Sequence, residues 1–110
     1  MKDSEKALEN NIQDTIIHEI TESGFEFWID KRVFNDWRFV TLTGKMTKGS
    51  EIEQISAVET ALKMLLGNAY DMLLNHIAEK NDGFVPSDKI VEEFVQIINS
   101  TKNLHSSPTA

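Results

Sequence analysis

Three histidines, His18, His76 and His105, are the side chains that change charge nearest neutral pH. They are therefore the candidates for acid–base work or imidazole metal ligation, and their spacing suits neither. His18 falls in a segment of strand character and His105 in a polar tail. His76 lies on a helix beside Glu79 and Lys80, without the H-x-x-x-H or H-E-x-x-H spacing that sets two imidazoles on one helical face. Two acidic pairs, Glu51/Glu53 and Glu92-Glu93, lie in turns near helix starts, where carboxylates complement the dipole. Catalysis would need them to converge in a pocket, and nothing in their positions implies one. Thr47-Lys48-Gly49-Ser50 could offer helix amides to an anion, but no buried strand leads into it, so a simple cap is the plainer reading. The glycines Gly24, Gly44, Gly49, Gly67 and Gly83 are scattered at turns rather than gathered into a phosphate loop. No cysteine is present, which excludes thiol catalysis, disulfides and thiolate metal sites. The expectation is a protein without catalytic, metal or cofactor site.

The elements that would position these residues form one domain. A chain of 110 residues is in the range of a single core, and its large apolar side chains fall almost entirely between residues 12 and 98. The net charge of −7 argues against general nucleic-acid binding. No signal-like or membrane-length apolar run is visible, so no membrane association is expected. The charge is uneven: Lys31, Arg32, Arg38, Lys45 and Lys48 stand against Asp36 alone, between two acidic stretches. That region is either a basic helix beside acidic neighbours or a docking face for an acidic partner.

Residues 1–11 are polar and aperiodic, and a disordered arm is expected there. Residues 15–29 predict a hairpin: Ile16, His18 and Ile20 share one side of the first strand, and Phe25, Phe27 and Ile29 alternate with Glu26, Trp28 and Asp30. Glu22-Ser23-Gly24 supplies the turn. Four helices follow, at about 36–45, 51–66, 69–80 and 88–99. Asp30 can cap a first turn with Val33 and Phe34, and Asn35 or Asp36 the first helix. On that helix Val33, Trp37 and Val40 are expected to share a face that Phe39, Leu42 and Met46 extend. Ser50 and Glu53 form a capping box for the second helix, whose buried stripe is expected to be Ile52, Ile55, Val58, Leu62, Leu65 and Leu66. Gly67 stops it and Asn68 can cap the third, so that the second and third should pack as an αα-hairpin. Tyr70, Leu73, Leu74 and Ile77 are its expected stripe. Asn81-Asp82-Gly83 breaks the chain before Ser87 caps the last helix, with Ile90, Val91, Phe94, Ile97 and Ile98 inward. Residues 100–110 are expected to be a flexible tail. The fold class is mainly α with a small hairpin, α+β, the N-terminal hairpin resting on about four short helices. A helix-turn-helix reader is disfavoured, because the segment from Asn68 to Asn81 carries Asp71 and Glu79 against Lys80.

Gly24-Phe25-Glu26-Phe27-Trp28-Ile29-Asp30, Asp36-Trp37-x-Phe39-Val40, Leu62-x-x-Leu65-Leu66-Gly67, Tyr70-x-x-Leu73-Leu74 and Gly83-x-Val85-Pro86 before Ile90-Val91-Glu92-Glu93-Phe94 stand in a particular order. That ordered set, spanning residues 15 to 103, resembles the tail assembly chaperones of long noncontractile-tailed phages of Gram-positive bacteria. The resemblance implies a non-catalytic protein of the host cytoplasm that binds the tape measure protein, keeps it soluble and assists tail tube polymerisation. It implies absence from the mature virion, contact with the tail tube protein, and a frameshifted longer form of the chain as a companion. A homo-oligomer is compatible with it. The first helix departs from the family in being basic, through Arg38, Lys45 and Lys48, and in the interruption Thr41-Leu42-Thr43-Gly44.

Candidate partner-binding residues are Trp28, Arg38, Phe39, Met64 and Met72, since aromatic and methionine side chains suit adaptable contacts. Trp28 lies on the strand face opposite Phe27 and is either core or a partner contact; Trp37 is expected in the core. Two other classes stay open: a small phage-encoded adaptor or regulator binding a host protein, and a structural tail or head-completion protein.

Overall fold

The computed structural model describes residues 15–106 and the side chains of residues 15–101. Strands β1 (Ile16–Ile20) and β2 (Glu26–Asp30) pair antiparallel, with Ile17 opposite Ile29 and His18 opposite Trp28. A 3-10 turn (Lys31–Asn35) leads to four helices: α1 (Trp37–Lys48), α2 (Glu51–Leu66), α3 (Ala69–Lys80) and α4 (Ser87–Ser106). The architecture is mostly helical with one hairpin, the α+β class expected. The expected arm at 1–11 lies outside the described residues.

Alternation decides how the hairpin sits. Ile17, Phe27 and Ile29 point inward and are buried, while Ile16, His18, Ile20 and Trp28 form an outer face. β2 packs on α2 and β1 on α4. The core joins Phe25, Phe27 and Ile29 to Phe39 of α1, Ala61, Leu62, Leu65 and Leu66 of α2, Leu73 and Ile77 of α3, and Ile97 of α4.

The caps follow the local chemistry. Asp30 accepts from the Arg32 amide and Asp36 from the Arg38 amide, at 3.0 and 2.9 Å. Ser50 and Glu53 close the expected capping box, with bonds of 3.1 and 3.3 Å. Gly67 takes φ 56° and ψ −126°, a conformation open to glycine and strained for any other residue.

Several expectations are corrected. Trp37 is 76% exposed. At 3.6 residues per turn it sits across the helix from Phe39 and Met46, so the two sets cannot share a face, and Phe39 with Leu42 and Met46 takes the core side. α1 also runs to Lys48 rather than ending near Lys45. The Thr41, Thr43 and Thr47 hydroxyls bond back to carbonyls of the preceding turn, so they are satisfied within the helix. On α2 the buried positions are Ala57, Ala61, Leu62, Leu65 and Leu66, leaving Ile52 and Ile55 exposed. α2 and α3 do pack together, but the more extensive helix pairing is α1 against α2. Asn68 makes no side-chain cap and is itself helical in φ and ψ. Ser87 begins α4 rather than capping it, and the Pro86 carbonyl accepts from Lys89 and Ile90. α4 continues to Ser106 where a tail was expected from residue 100. Thr101 helps carry it, being 4% exposed with its hydroxyl donating to the Ile98 carbonyl at 2.7 Å. Val91 of the expected inward set is exposed, and Glu93 is buried instead.

Candidate binding surface

Two sites stand out from the packing, one polar and one apolar. The polar site fixes the hairpin tip. Gly24 permits the tight return of the chain at φ 96°, which brings the Thr21 and Ser23 hydroxyls onto α4. Both donate to Oε1 of Glu93 at 2.9 Å. Since the Ser23 proton goes to Glu93, Nε2 of His76 on α3 donates to Ser23 Oγ, 3.0 Å away. Gln96 accepts from the Glu22 amide at 2.7 Å, and Lys80 donates to the Ser23 carbonyl.

Serine, histidine and glutamate thus meet, but in the wrong order for a hydrolytic triad, where the histidine stands between hydroxyl and carboxylate. Here the carboxylate holds the serine itself. The cluster is a clamp that satisfies a buried carboxylate and pins the hairpin to two helices. Its neighbour Glu92 is exposed and pairs with Lys89 at 3.3 Å, whereas Glu93 is buried against the Thr21 and Ser23 hydroxyls. Among the described residues no group of histidine, aspartate and glutamate is arranged to hold a metal ion. No described helix is long and apolar enough to cross a membrane.

The apolar site is a groove of about 660 Å³ lined by Ile52, Ile55, Val58 and Glu59 of α2, Tyr70 and Leu74 of α3, Val85, and Ile90 and Val91 of α4, with Ser56 and Ser87. It runs along the N-terminal half of α2, where Ile55 lies on the same side of the helix as the buried Leu62 and Leu66 but is left uncovered, as is Ile52. Ile52 is 79% and Ile55 58% exposed. The Tyr70 hydroxyl is pushed above its usual pKa, first by burial and then by the nearby carboxylates of Glu59 and Asp71. Lys63 sits between Glu59, at 4.0 Å, and the Tyr70 ring, 5.6 Å from its centroid.

The residues singled out from sequence are not brought together. Trp28 lies on the outer hairpin face, 55% exposed, its ring stacked on His18 at 4.4 Å. Of its two sequence readings, core is excluded by that exposure. Arg38 is exposed and holds Asp36 with two bonds of 3.0 and 2.8 Å. Met72 is 65% exposed on α3. Phe39 is buried at 5% in the core and meets Phe34 edge-on at 5.4 Å, where both line a second apolar cavity with Ile17 and Met46. Met64 packs against the core and is only partly accessible. The groove residues Ile52 and Ile55 were instead assigned to the core. No periodicity within α2 marks them: Ile55 and Leu62, seven residues apart, share one side of the helix, and only the neighbours along its length decide which is covered.

Compared with protein-family models, with curated proteins and with solved structures, the chain matches none.

Proposed function

We propose that this chain is a phage tail assembly chaperone that binds the tape measure protein, keeps it soluble and assists tail tube polymerisation, without catalysis. In this reading it works in the host cytoplasm and leaves before the virion is complete. The observation that carries it is the apolar groove, whose lining residues Ile52 and Ile55 are more than half exposed in a domain whose described buried side-chain polar groups are satisfied. A long helical chain with apolar patches needs such cover against self-association. The ordered resemblance of residues 15 to 103 supplies the identity of that chain.

The test is co-expression with the tape measure protein encoded beside it, followed by fractionation and pull-down. Soluble, co-purifying tape measure is the expected result. Insoluble, unbound tape measure would reject the chaperone reading in favour of an adaptor for a host protein. Recovery of this chain in purified virions would favour a structural tail protein.

A further inference from the structure

The groove fixes the chemistry of what can fill it. Ile52, which lines it, and Phe84, next to the lining residue Val85, are 79% and 73% exposed. A compact ligand inside the groove would leave both in water, so the occupant is elongated. It must also satisfy its own backbone. The walls are three helices and the single residue Val85, and neither strand lines the groove, so no edge is offered for strand addition. An α-helix meets both conditions.

Charge narrows the choice further. About half of the lining residues have an acid beside them in sequence. Glu51 and Glu53 flank Ile52, Asp71 follows Tyr70, Asp88 follows Ser87, Glu92 follows Val91, and Glu59 lines the groove itself. Of the cations near this rim, Lys63 pairs with Glu59 at 4.0 Å and Lys89 with Glu92 at 3.3 Å, while Lys45 lies near Glu53. Among the described residues, Glu51, Asp71 and Asp88 enter no ion pair. An acidic partner would meet like charge on α2, α3 and α4.

We propose that the groove takes an amphipathic helix of a partner protein, apolar on one face and bordered on both sides of that face by lysine or arginine. This names the partner's chemistry for the groove and rests on reading it as the binding site. Charged borders set register and partner choice, while the apolar face supplies most of the affinity.

The test uses the full chain and two labelled peptides of about 18 residues, long enough for helix formation in the groove. Both carry leucine at i, i+3, i+4 and i+7; one has lysine along the borders, the other glutamate. The lysine peptide should bind at least about tenfold tighter, a difference near 1.4 kcal/mol, and should weaken as salt rises. Ile55→Ser with Val91→Ser changes two exposed positions and should weaken its binding by about tenfold or more, with the helical circular dichroism unchanged. Methyl resonances of Ile52, Ile55 and Ile90 should shift on titration. Equal affinity for both peptides, no effect of the double variant, or shifts confined to Ile16 and Ile20 would overturn the proposal. So would self-association of the free chain that the double variant abolishes, since a second copy would then be the occupant. Tape measure solubilised equally by wild-type and double-variant chains would overturn the groove and leave the chaperone reading standing. Peptide binding without tape measure rescue would do the reverse.

Discussion

The two halves of α2 carry similar side chains and meet opposite fates. In the C-terminal half Ala61 and Leu62 are fully buried, with Leu65 and Leu66 nearly so. In the N-terminal half Ile52 and Ile55 stand mostly in water. Hydrophobicity does not distinguish them, because isoleucine is as ready for burial as leucine. Position does. The hairpin reaches only the C-terminal half, tied there by its clamp to α3 and α4. The exposed half is held by α1 on one flank and by its own capping box. The fold thus uses polar contacts to place its sheet and leaves part of its apolar surface free.

The sharpest way to break this comparison is to truncate one residue in each half. Leu62→Ala should lower unfolding free energy by roughly 2–5 kcal/mol, since it opens a cavity under β2. Ile55→Ala should stay within about 0.5 kcal/mol, as for an exposed position, and should weaken partner binding instead. Urea unfolding of the two variants checks both. Similar losses would mean that Ile55 is buried in solution, and the groove would lose its argument.

The clamp is the next target. Glu93→Ala leaves the Thr21 and Ser23 hydroxyls without their shared acceptor and should cost about 1–3 kcal/mol. Because it loosens the hairpin rather than the groove, binding of the lysine-bordered peptide should change little. A variant that folds normally would show that burial of Phe25, Phe27 and Ile29 places the hairpin unaided. Smaller again is Ser50→Ala, which removes half of the capping box. A loss of about 1 kcal/mol is expected. Amide exchange should quicken in the first turns of α2 around Ile52, and not around Leu62. Uniform quickening would mean that the two halves are one cooperative unit.

The hairpin, the capping box, the breaks at Gly67 and Asn81–Gly83 and the α+β class were legible because each rests on local chemistry. Alternation, an S-x-x-E spacing and a left-handed glycine act within a few residues. What was not legible depends on which neighbour arrives. Trp37 and Phe39 both read as core, and only the packing of α1 on α2 decides between them. Glu93 read as a dipole-complementing carboxylate, although it lies beyond the first turn of α4; its real partners are some seventy residues away in sequence. Of the site, Met72 and Trp28 stand exposed, although the sequence left Trp28 open between core and partner contact; the groove was not legible. Its residues come from α2, α3, Val85 and α4, and each stripe taken alone looks like ordinary core.

The smallest expected effect separates the start of α1 from that of α2. Asp36 and Ser50 both cap helices, but Asp36 is charged, and bonds from the Arg38 side chain, more than from its amide, hold the carboxyl down from 3.8 to about 2. A carboxyl depressed in the folded state stabilises above its unfolded pKa, near 3.8, and that contribution is lost as pH falls through about 2. Ser50 does not titrate, so the start of α2 has no counterpart in the serine itself. Its Glu53 partner is lowered too, chiefly by the Ser50 amide. Carboxyl carbon shifts followed by NMR should therefore give Asp36 a midpoint near 2 in the wild type and nearer 3.8 in Arg38→Gln. If the wild-type midpoint is already ordinary, the Asp36–Arg38 pair is a transient surface contact. Arg38 is then free to meet a partner, as its sequence position first implied, and the acidic groove and this basic helix start become two docking faces of opposite charge.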